Sequence, residues 1–378
     1  MSNRSAAEYL PPSDGVDGEH GVNPMVQEEQ SVRRAKLTLR SPDEILAMQF
    51  DDSDIILGDR LLAKGQSLVL AAAGGTGKSR LLLQLPACVT SKQNFLGFHT
   101  GGDDLRWMVL QTENSNRRLQ QDLNHLKTWL GSDWLKFTGQ VLIHTIENDT
   151  DGFVSLESPE NVSAIECAIA DAKPDVVCID PLNDFGIGDL NKDADMRATL
   201  LRLSRACRRG KPDRAIVALH HAITGRSGAA KATGYDRSSF ARNSKSLFAW
   251  TRAQINLAPV DPNSNERLIV GCGKSNNGRE FPAFGIRLNP DTFIYETDIS
   301  IDVQAWEKEI SGQRNREPLM SPGRVRELCR MPMRKSELAK AIVDDCGCYR
   351  GSAYRYITLA VQAHKLQFNK DHETYCPK

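Results

Sequence analysis

The stretch from Leu68 to Gln84, LVLAAAGGTGKSRLLLQ, constrains the fold of this chain more than any other. An apolar, strand-like run over Ser67–Ala72 leads into a glycine-containing turn, and a helical pattern follows over Lys78–Val89. This is the context in which the pattern GxxxxGK[ST] binds nucleotide phosphates. The glycines let backbone N–H groups curl around phosphate oxygens, and the helix directs its positive end at the same anion. The stretch therefore predicts a site for ATP or GTP.

Within this turn, Lys78 is expected to reach the β- and γ-phosphates and Ser79 to hold Mg²⁺. One position departs from the pattern, because Ala72 stands where the first glycine is usual. The alternative is a glycine-rich turn that carries GKS by chance. The predicted nucleotide contacts come from Gly74, Gly75, Thr76, Gly77, Lys78 and Ser79.

Composition places the 378-residue chain among ordinary folded proteins, with 25% charged and 40% hydrophobic residues. The formal net charge is zero, but it is unevenly distributed. Residues 1–60 carry 12 acidic residues against six Lys and Arg, whereas residues 318–378 carry 11 Lys and Arg against six acidic residues. Contact with a polyanion is therefore expected to be local.

The nine cysteines include no CxxC pair that would indicate a zinc or redox motif, so we expect free thiols in a reducing compartment. No apolar stretch approaches the roughly 18–20 residues that a bilayer-spanning helix needs. The N-terminus lacks an apolar signal core. These features predict a cytoplasmic protein without membrane contact.

After the phosphate loop, strand and helix patterns alternate as far as His220. Such alternation predicts an α/β fold with a mostly parallel sheet that is flanked by helices. Three consecutive strands predicted over Thr251–Ala258, Arg267–Lys274 and Phe284–Asn289 suggest a β-meander at one edge of this sheet.

Two acidic residues at predicted strand ends are candidates for catalysis. Asp180 ends the apolar strand DVVCID, which suits the acid that positions Mg²⁺ beside the phosphate loop. Glu113 follows the strand WMVLQT and can polarise the attacking water if that strand neighbours the phosphate-loop strand. The alternative for Glu113 is an acid near the start of a helix predicted over Asn114–Trp129, with Asn114 as its cap.

His220 and His221 follow the strand AIVAL, where a polar side chain can contact the γ-phosphate and report its hydrolysis. The alternatives are a zinc-ligand pair or a structural histidine. Adjacent residues on a strand face opposite sides, which argues against a pair of ligands for one metal. We select His220 as the candidate sensor.

The segment 224–242 is rich in Gly, Ser and basic residues, and it predicts a mobile surface loop. Arg226 and Lys231 are candidates for contact with nucleic-acid phosphates, although a solvated loop remains the alternative. Further along, Lys274 in CGKSNNG is a candidate for reaching the nucleotide of a neighbouring subunit, and Arg252 competes for that role.

The C-terminal region predicts a helix over 334–343, a break, a second helix over 352–366 with Ser352 as its N-cap, and a two-stranded wing over 367–375. This order resembles a winged helix-turn-helix. Arg350 and Arg355 lie before and on the second helix and suit contacts with nucleic-acid phosphates. The alternative is a winged helix that docks onto a protein.

Taken together, AAAGGTGKS, Glu113, VVCID, LHH, the basic loop and GKSNNG resemble the RepA-type branch of the RecA-like ATPases, which are hexameric replicative helicases of plasmids, phages and mobile elements. The resemblance implies that the phosphate loop binds ATP and Mg²⁺ and that Glu113 is the catalytic carboxylate. It also implies that Asp180 is the second acid and that His220 or His221 senses phosphate. The basic residue that acts across the subunit interface corresponds to Arg242 or Lys274.

We therefore predict a flexible acidic arm over 1–40, a RecA-like ATPase domain over 41–300, a linker over 301–322 and a winged-helix domain over 323–378. The predicted function is an ATP-dependent replicative DNA helicase that forms a homo-hexameric ring on single-stranded DNA. A replication initiator or primase is its expected partner. The alternative is an ATP-regulated DNA-binding factor that does not translocate. A small-molecule kinase is disfavoured because no acceptor-binding lid is evident.

Overall fold

The computed structural model describes residues 38–49, 51–147, 152, 154–241, 245–311 and 320–378. Its contacts divide the chain into two units, residues 1–50 and 51–378. The flexible arm predicted over 1–40 lies almost wholly outside the described residues. None of the helices within the described ranges is both long and apolar enough to cross a bilayer.

The first unit contains helix α1, Pro42–Leu46. Ser41 accepts a hydrogen bond from the Glu44 backbone N–H, and the Glu44 carboxylate accepts one from the Ser41 N–H. This capping box fixes the start of the helix.

The helices and strands of the second unit alternate along most of its length. Its helices are α2 Lys78–Thr90, α3 Asn116–Leu130, α4 Trp134–Gln140, α5 Pro159–Ala172, α6 Asp193–Arg208, α7 Arg226–Ala229, α8 Lys245–Trp250, α9 Val303–Ile310, α10 Pro322–Leu328, α11 Lys335–Cys346 and α12 Arg350–Gln362. Its strands are β1 Ile55–Leu57, β2 Leu62–Ala63, β3 Ser67–Ala72, β4 Trp107–Gln111, β5 Val141–Ile143, β6 Val176–Asp180, β7 Ala215–His221, β8 Ala253–Pro259, β9 Arg267–Ser275, β10 Phe284–Leu288, β11 Tyr295–Thr297, β12 Met333–Arg334, β13 Leu366–Asn369 and β14 Thr374–Pro377.

In the part of the chain that the structure describes, nine strands form the main sheet in the order β11-β10-β9-β8-β3-β7-β6-β4-β5. The strands from β8 through β5 in this order pair in parallel, whereas β8, β9, β10 and β11 pair antiparallel. The predicted parallel sheet with a β-meander at one edge is thus confirmed. All parallel strands place their carboxyl ends at the same edge, where the loops after β3, β4, β6 and β7 meet.

Both faces of this sheet are covered, which explains why β3 is buried at every residue. Leu68 and Leu70 belong to a core shared with α2, α3 and α4. Val69 and Ala71 face the opposite core, which includes side chains of α5, α6 and α9. A strand that is buried on both faces has no solvent-facing side, and β3 is accordingly apolar from Leu68 to Ala72.

The C-terminal elements have a hydrophobic core of their own, formed by residues between Met320 and Leu366. Helices α10, α11 and α12 pack together, and β13 and β14 form a hairpin that β12 joins. Helix α12 begins at Arg350, so Ser352 as its N-cap is wrong. The turn between α11 and α12 is only Gly347–Tyr349, with Gly347 at φ +65°, and is tighter than the predicted eight-residue break.

Candidate nucleotide-binding site

The phosphate loop joins β3 to α2, as the sequence predicts. Gly75 and Gly77 have φ of +73° and +82°, values that side chains with a Cβ rarely adopt. Ala72 is instead the last residue of β3 and pairs with His221 and Leu257. A glycine is not needed at this position because the backbone there is still an extended strand.

Lys78 is the buried cation of the loop. Its ammonium group donates hydrogen bonds to the carbonyl oxygens of Ala72 at 3.1 Å and Ala73 at 2.8 Å. Burial lowers the pKa of Lys78, and the charges of Asp180 and Glu113 oppose that shift. These electrostatic couplings place the three ionisable groups in one neighbourhood.

Asp180 ends β6 beside the start of α2 and is 2% exposed. Burial raises its pKa to about 6, and the Ser79 hydroxyl, which hydrogen-bonds the carboxylate, counteracts part of this rise. A hydroxyl and a carboxylate are hard oxygen ligands of the kind that Mg²⁺ prefers. The donor set of Ser79 and Asp180 therefore fits the metal that accompanies a nucleotide triphosphate.

Glu113 lies in the loop after β4, next to His221 at the end of β7. The His221 Nε2 atom is 3.7 Å from Glu113 Oε1, which is longer than a hydrogen bond. This proximity lowers the pKa of Glu113, against the effect of partial burial. Glu113 is therefore held as a carboxylate, the form that a general base requires.

Two expectations about Glu113 need correction. Strand β4 does not neighbour β3, because β6 and β7 lie between them, and Glu113 approaches the phosphate loop from the loop beyond the strand. Helix α3 is capped by Ser115 rather than by Asn114, since the Ser115 hydroxyl accepts from the Arg118 N–H. Glu113 therefore precedes the helix cap and is not an acid of the first helical turn.

The side chains of His220 and His221 lie on opposite faces of the sheet, because they are adjacent residues of β7. His220 is 2% exposed and pairs with Ala71, whose side chain faces the core that holds α6. His221 points to the other face, the one that carries α2, and meets Glu113. The structure therefore places His221 beside Glu113, and the sensor role of His220 stays a prediction.

The candidates for action across a subunit interface lie elsewhere. Lys274 donates to the carbonyl oxygens of Phe248 at 2.5 Å and Thr251 at 2.8 Å, and its ammonium lies 4.4 Å from the centre of the Phe248 ring. It pairs with Gln254 near the start of β8, where the parallel strands begin, and the phosphate loop lies where they end. Arg252 is exposed at the same edge as Lys274. Arg242 lies outside the described residues.

The basic segment after β7 is folded onto the body of the unit rather than extended from it. Arg226, on α7, donates to the carbonyl oxygens of Glu309 and Ile310 at the end of α9. The Asn256 side chain donates to the carbonyl oxygens of Ala232 and Arg237. The guanidinium of Arg226 is thus engaged within the chain, whereas Lys231 is half-buried.

In the C-terminal elements, Arg350 and Arg355 are both exposed at or near the start of α12. Arg350 donates to the Tyr354 hydroxyl at 3.1 Å, and Lys335 lies 5.4 Å from the centre of the same ring. These residues form a basic and aromatic surface at one end of α12.

Three contacts at the phosphate loop were not foreseen from the sequence. Asn265 Nδ2 donates to the Gly75 carbonyl oxygen at 2.6 Å, and the Tyr295 hydroxyl packs against Gly77. Gln84 of α2 makes two hydrogen bonds with the Tyr295 backbone. No motif signals these residues, because Tyr295 lies more than 200 positions from the loop that it contacts.

This fold and site define a P-loop ATPase with a RecA-like core: a nucleotide loop after one buried parallel strand, with carboxylates from the ends of two others. The particular family follows from the sequence. The profile of the AAA domain family (AAA_25) matches residues 33–226, which are 194 of the 378 residues, and the chain belongs to this family. Membership implies binding of a nucleotide with Mg²⁺.

Among solved structures, the chain is similar to a KaiC-like protein from the hyperthermophilic archaeon Pyrococcus horikoshii OT3. The two share 15% sequence identity with a TM-score of 0.42, over 66% of this chain and 99% of the other. Similarity at this level adds nothing to what the strand order already shows. A search of curated proteins found no match.

Proposed function

We propose that this ATPase is a replicative DNA helicase of a plasmid or mobile element, which forms a ring on single-stranded DNA and hydrolyses ATP between subunits. The proposal rests on where the basic side chains lie: some are at the carboxyl ends of the parallel strands, beside the phosphate loop, and others are at the opposite ends. Within the described residues, the charge of Lys78 influences Glu113 and Asp180, and His221 lies beside Glu113. Lys274 and Arg252 lie at the opposite edge.

This distance matters because β3 alone spans roughly 13 Å between Leu68 and Ala72, at about 3.3 Å per residue. Lys274 or Arg252 therefore cannot reach the phosphate loop of its own chain. A neighbouring subunit that presents this edge would complete the site with a cation, as transition-state stabilisation in phosphoryl transfer requires. Arg242 remains a third candidate for this role.

The proposed chemistry follows from the positions of the side chains. Lys78 leaves the Ala72 and Ala73 carbonyls for the β- and γ-phosphates, and Glu113 accepts the proton of the attacking water. Mg²⁺, held by Ser79 and Asp180, would neutralise phosphate charge. His221 keeps Glu113 ionised and, at the end of β7, links the state of the site to the basic segment 224–237 that follows.

The experiment is a steady-state ATPase assay of the full chain with and without single-stranded DNA, followed by strand displacement from duplexes with a 5′ or a 3′ tail. We expect single-stranded DNA to raise the rate and one tail to support unwinding. Lys78→Ala, as the matched inactive chain, should do neither. No response to DNA at low salt together with no unwinding would contradict the proposal.

A second candidate is favoured by the C-terminal elements. Between Asp345 and Asp371 the sequence contains no acidic residue, and it carries Arg350, Arg355, Lys365 and Lys370. All four basic residues are exposed. We propose that these elements form a winged helix that binds nucleic acid. If the chain binds DNA but does not unwind it, its function is that of an ATP-regulated DNA-binding replication factor. A replication initiator or primase is the proposed protein partner in either case.

A further inference from the structure

The phosphate loop can bind an anion only if its N–H groups face the anion. In a planar trans peptide the carbonyl of one residue and the N–H of the next point in opposite directions. A contact that fixes the carbonyl of Gly75 therefore also fixes the N–H of Thr76, and one that fixes the carbonyl of Thr76 fixes the N–H of Gly77. The groups that hold these carbonyls decide where the donors point.

Those groups come from the antiparallel edge of the sheet, far from the motif in sequence. Asn265, in the connection between β8 and β9, donates from Nδ2 to the Gly75 carbonyl oxygen at 2.6 Å. The Tyr295 hydroxyl lies 3.0 Å from the Asn265 carbonyl oxygen and 3.4 Å from that of Thr76. A phenol has one proton to donate, so its shorter bond, to Asn265, is the principal one.

Tyr295 is well suited to such a role. It is 1% exposed, and burial raises its pKa to about 12, so its hydroxyl stays a donor at physiological pH. A Cβ on Gly77 would lie 2.3 Å from this hydroxyl, which shows how closely the ring is packed on the loop.

The backbone of Tyr295 is fixed in turn by the helix that the loop begins. Gln84 Nε2 donates to the Tyr295 carbonyl at 2.8 Å, and the Tyr295 N–H donates to Gln84 Oε1 at 2.9 Å. Gln84 is itself 2% exposed. The chain of contacts therefore closes on itself, from α2 through Tyr295 and Asn265 back to the phosphate loop.

We propose that Asn265 and Tyr295 are positioning residues for nucleotide binding: Tyr295 orients Asn265, and Asn265 holds the Gly75 carbonyl so that the next N–H faces the phosphates. This inference rests on the nucleotide site but not on helicase activity. It assigns to the β-meander a function in the ATPase reaction that is separate from any contact with a neighbouring subunit.

The test compares Asn265→Ala and Tyr295→Phe with two matched controls. Asn263→Ala removes an exposed amide from the same connection, and Tyr235→Phe removes the hydroxyl of a fully exposed tyrosine. The measurements are ADP binding by calorimetry, and KM and kcat for ATP hydrolysis with Mg²⁺. Thermal unfolding without nucleotide reports folding.

Asn265→Ala should weaken ADP binding and raise KM for ATP about five- to tenfold, as expected for the loss of one positioning hydrogen bond. The value of kcat should change less than twofold, since the contact is made equally before and during the reaction. Both controls should match the wild-type chain.

A double mutant tests the order of the relay. If Tyr295 acts through Asn265, the Asn265→Ala/Tyr295→Phe chain should bind ADP no more weakly than Asn265→Ala alone. Wild-type affinity in both single variants, an equal loss in Asn263→Ala, or losses that multiply in the double mutant would each overturn the proposal. So would unfolding at lower temperature with unchanged affinity, because that result indicates a purely structural role. DNA is absent from all of these measurements, so their outcome does not depend on whether the protein is a helicase.

Discussion

The ionisable side chains at the phosphate loop are mostly buried, and burial decides how each of them carries its charge. Lys78 and Asp180 both lose hydration, which lowers the pKa of the lysine and raises that of the aspartate. Glu113 is more exposed and lies near His221, so its pKa shifts downward instead. Two carboxylates in one site are thus tuned in opposite directions, which suits one for binding a metal ion and the other for accepting a proton.

Replacing Glu113 by Gln should lower the ATP hydrolysis rate at least about 100-fold, because the general base is lost while the side-chain shape is kept. ADP affinity should stay within about twofold of wild type, since Glu113 belongs to the loop after β4 and not to the phosphate loop itself. Glu160→Gln, an exposed acid on α5, is the control and should hydrolyse normally. A Glu113→Gln chain with wild-type turnover would remove Glu113 from the reaction.

Replacing His221 by Asn should shift the acidic limb of the kcat profile to higher pH. The reason is that His221 lowers the pKa of Glu113, so without it the carboxylate takes up a proton at a higher pH. The measurement is kcat from about pH 3.5 to pH 8, because the pKa of Glu113 is lowered from an ordinary value of 4.5. An unshifted limb would show that the contact between His221 and Glu113 at 3.7 Å does not control the base.

Asp180→Asn should stabilise the nucleotide-free protein at pH 8 by about 1–3 kcal/mol, measured by urea unfolding in a chelator. The folded carboxyl has a pKa of about 6, above its ordinary value of 3.8. Above pH 6 it is ionised in both states, and burying its charge opposes folding.

As the pH falls from 6 towards 3.8, only the folded state binds the proton, so this cost disappears from the wild-type protein. The advantage of Asp180→Asn should therefore shrink at pH 5. An advantage that is constant with pH, or a loss of stability at pH 8, would contradict the burial argument.

At the scale of secondary-structure elements, the sequence predicts what is local and misses what depends on register or on distant contacts. Strand β3 and helix α2 follow from an apolar run and a leucine-rich helical pattern, and the structure has them nearly where predicted. The sequence could not tell which of the two histidines meets Glu113, because one residue of register decides which face a strand side chain occupies.

The relay of Asn265 and Tyr295 was missed for a different reason. The meander brings β11 against α2 across 211 positions of the sequence, and no local pattern records that approach. Likewise, the engagement of Arg226 with the end of α9 depends on contacts across 83 residues, so an exposed basic loop was the natural reading of its sequence.

At the same scale, helix α12 gives a test of the proposed nucleic-acid surface. Arg355→Ala should weaken binding of the full chain to duplex DNA and reduce the slope of log affinity against log salt by about one, as the loss of one phosphate contact requires. Lys340→Ala, an exposed cation on α11, is the matched control. Equal effects of the two variants would show that general positive charge, and not this end of α12, binds the DNA.

At the scale of the whole molecule, the described residues place the triphosphate site at one edge of the sheet and two candidate cations at the other. In the proposed function these are the two halves of a composite site, and a second copy of the chain would bring them together. Repeating that contact from chain to chain, with a rotation that closes, would give a ring. The AAA domain identifies the chain as an ATPase, whereas the proposed ring has to be tested by measuring the assembly of several chains.

The most direct measurement is therefore the mass of the full chain in solution, by light scattering, with and without ATP and Mg²⁺, for the wild type and for Lys78→Ala. We expect ATP and Mg²⁺ to bring the wild-type chain to about six times the mass of one chain, and we expect no response of Lys78→Ala to the nucleotide. A wild-type chain that stays monomeric with ATP, Mg²⁺ and single-stranded DNA present would contradict the proposed ring.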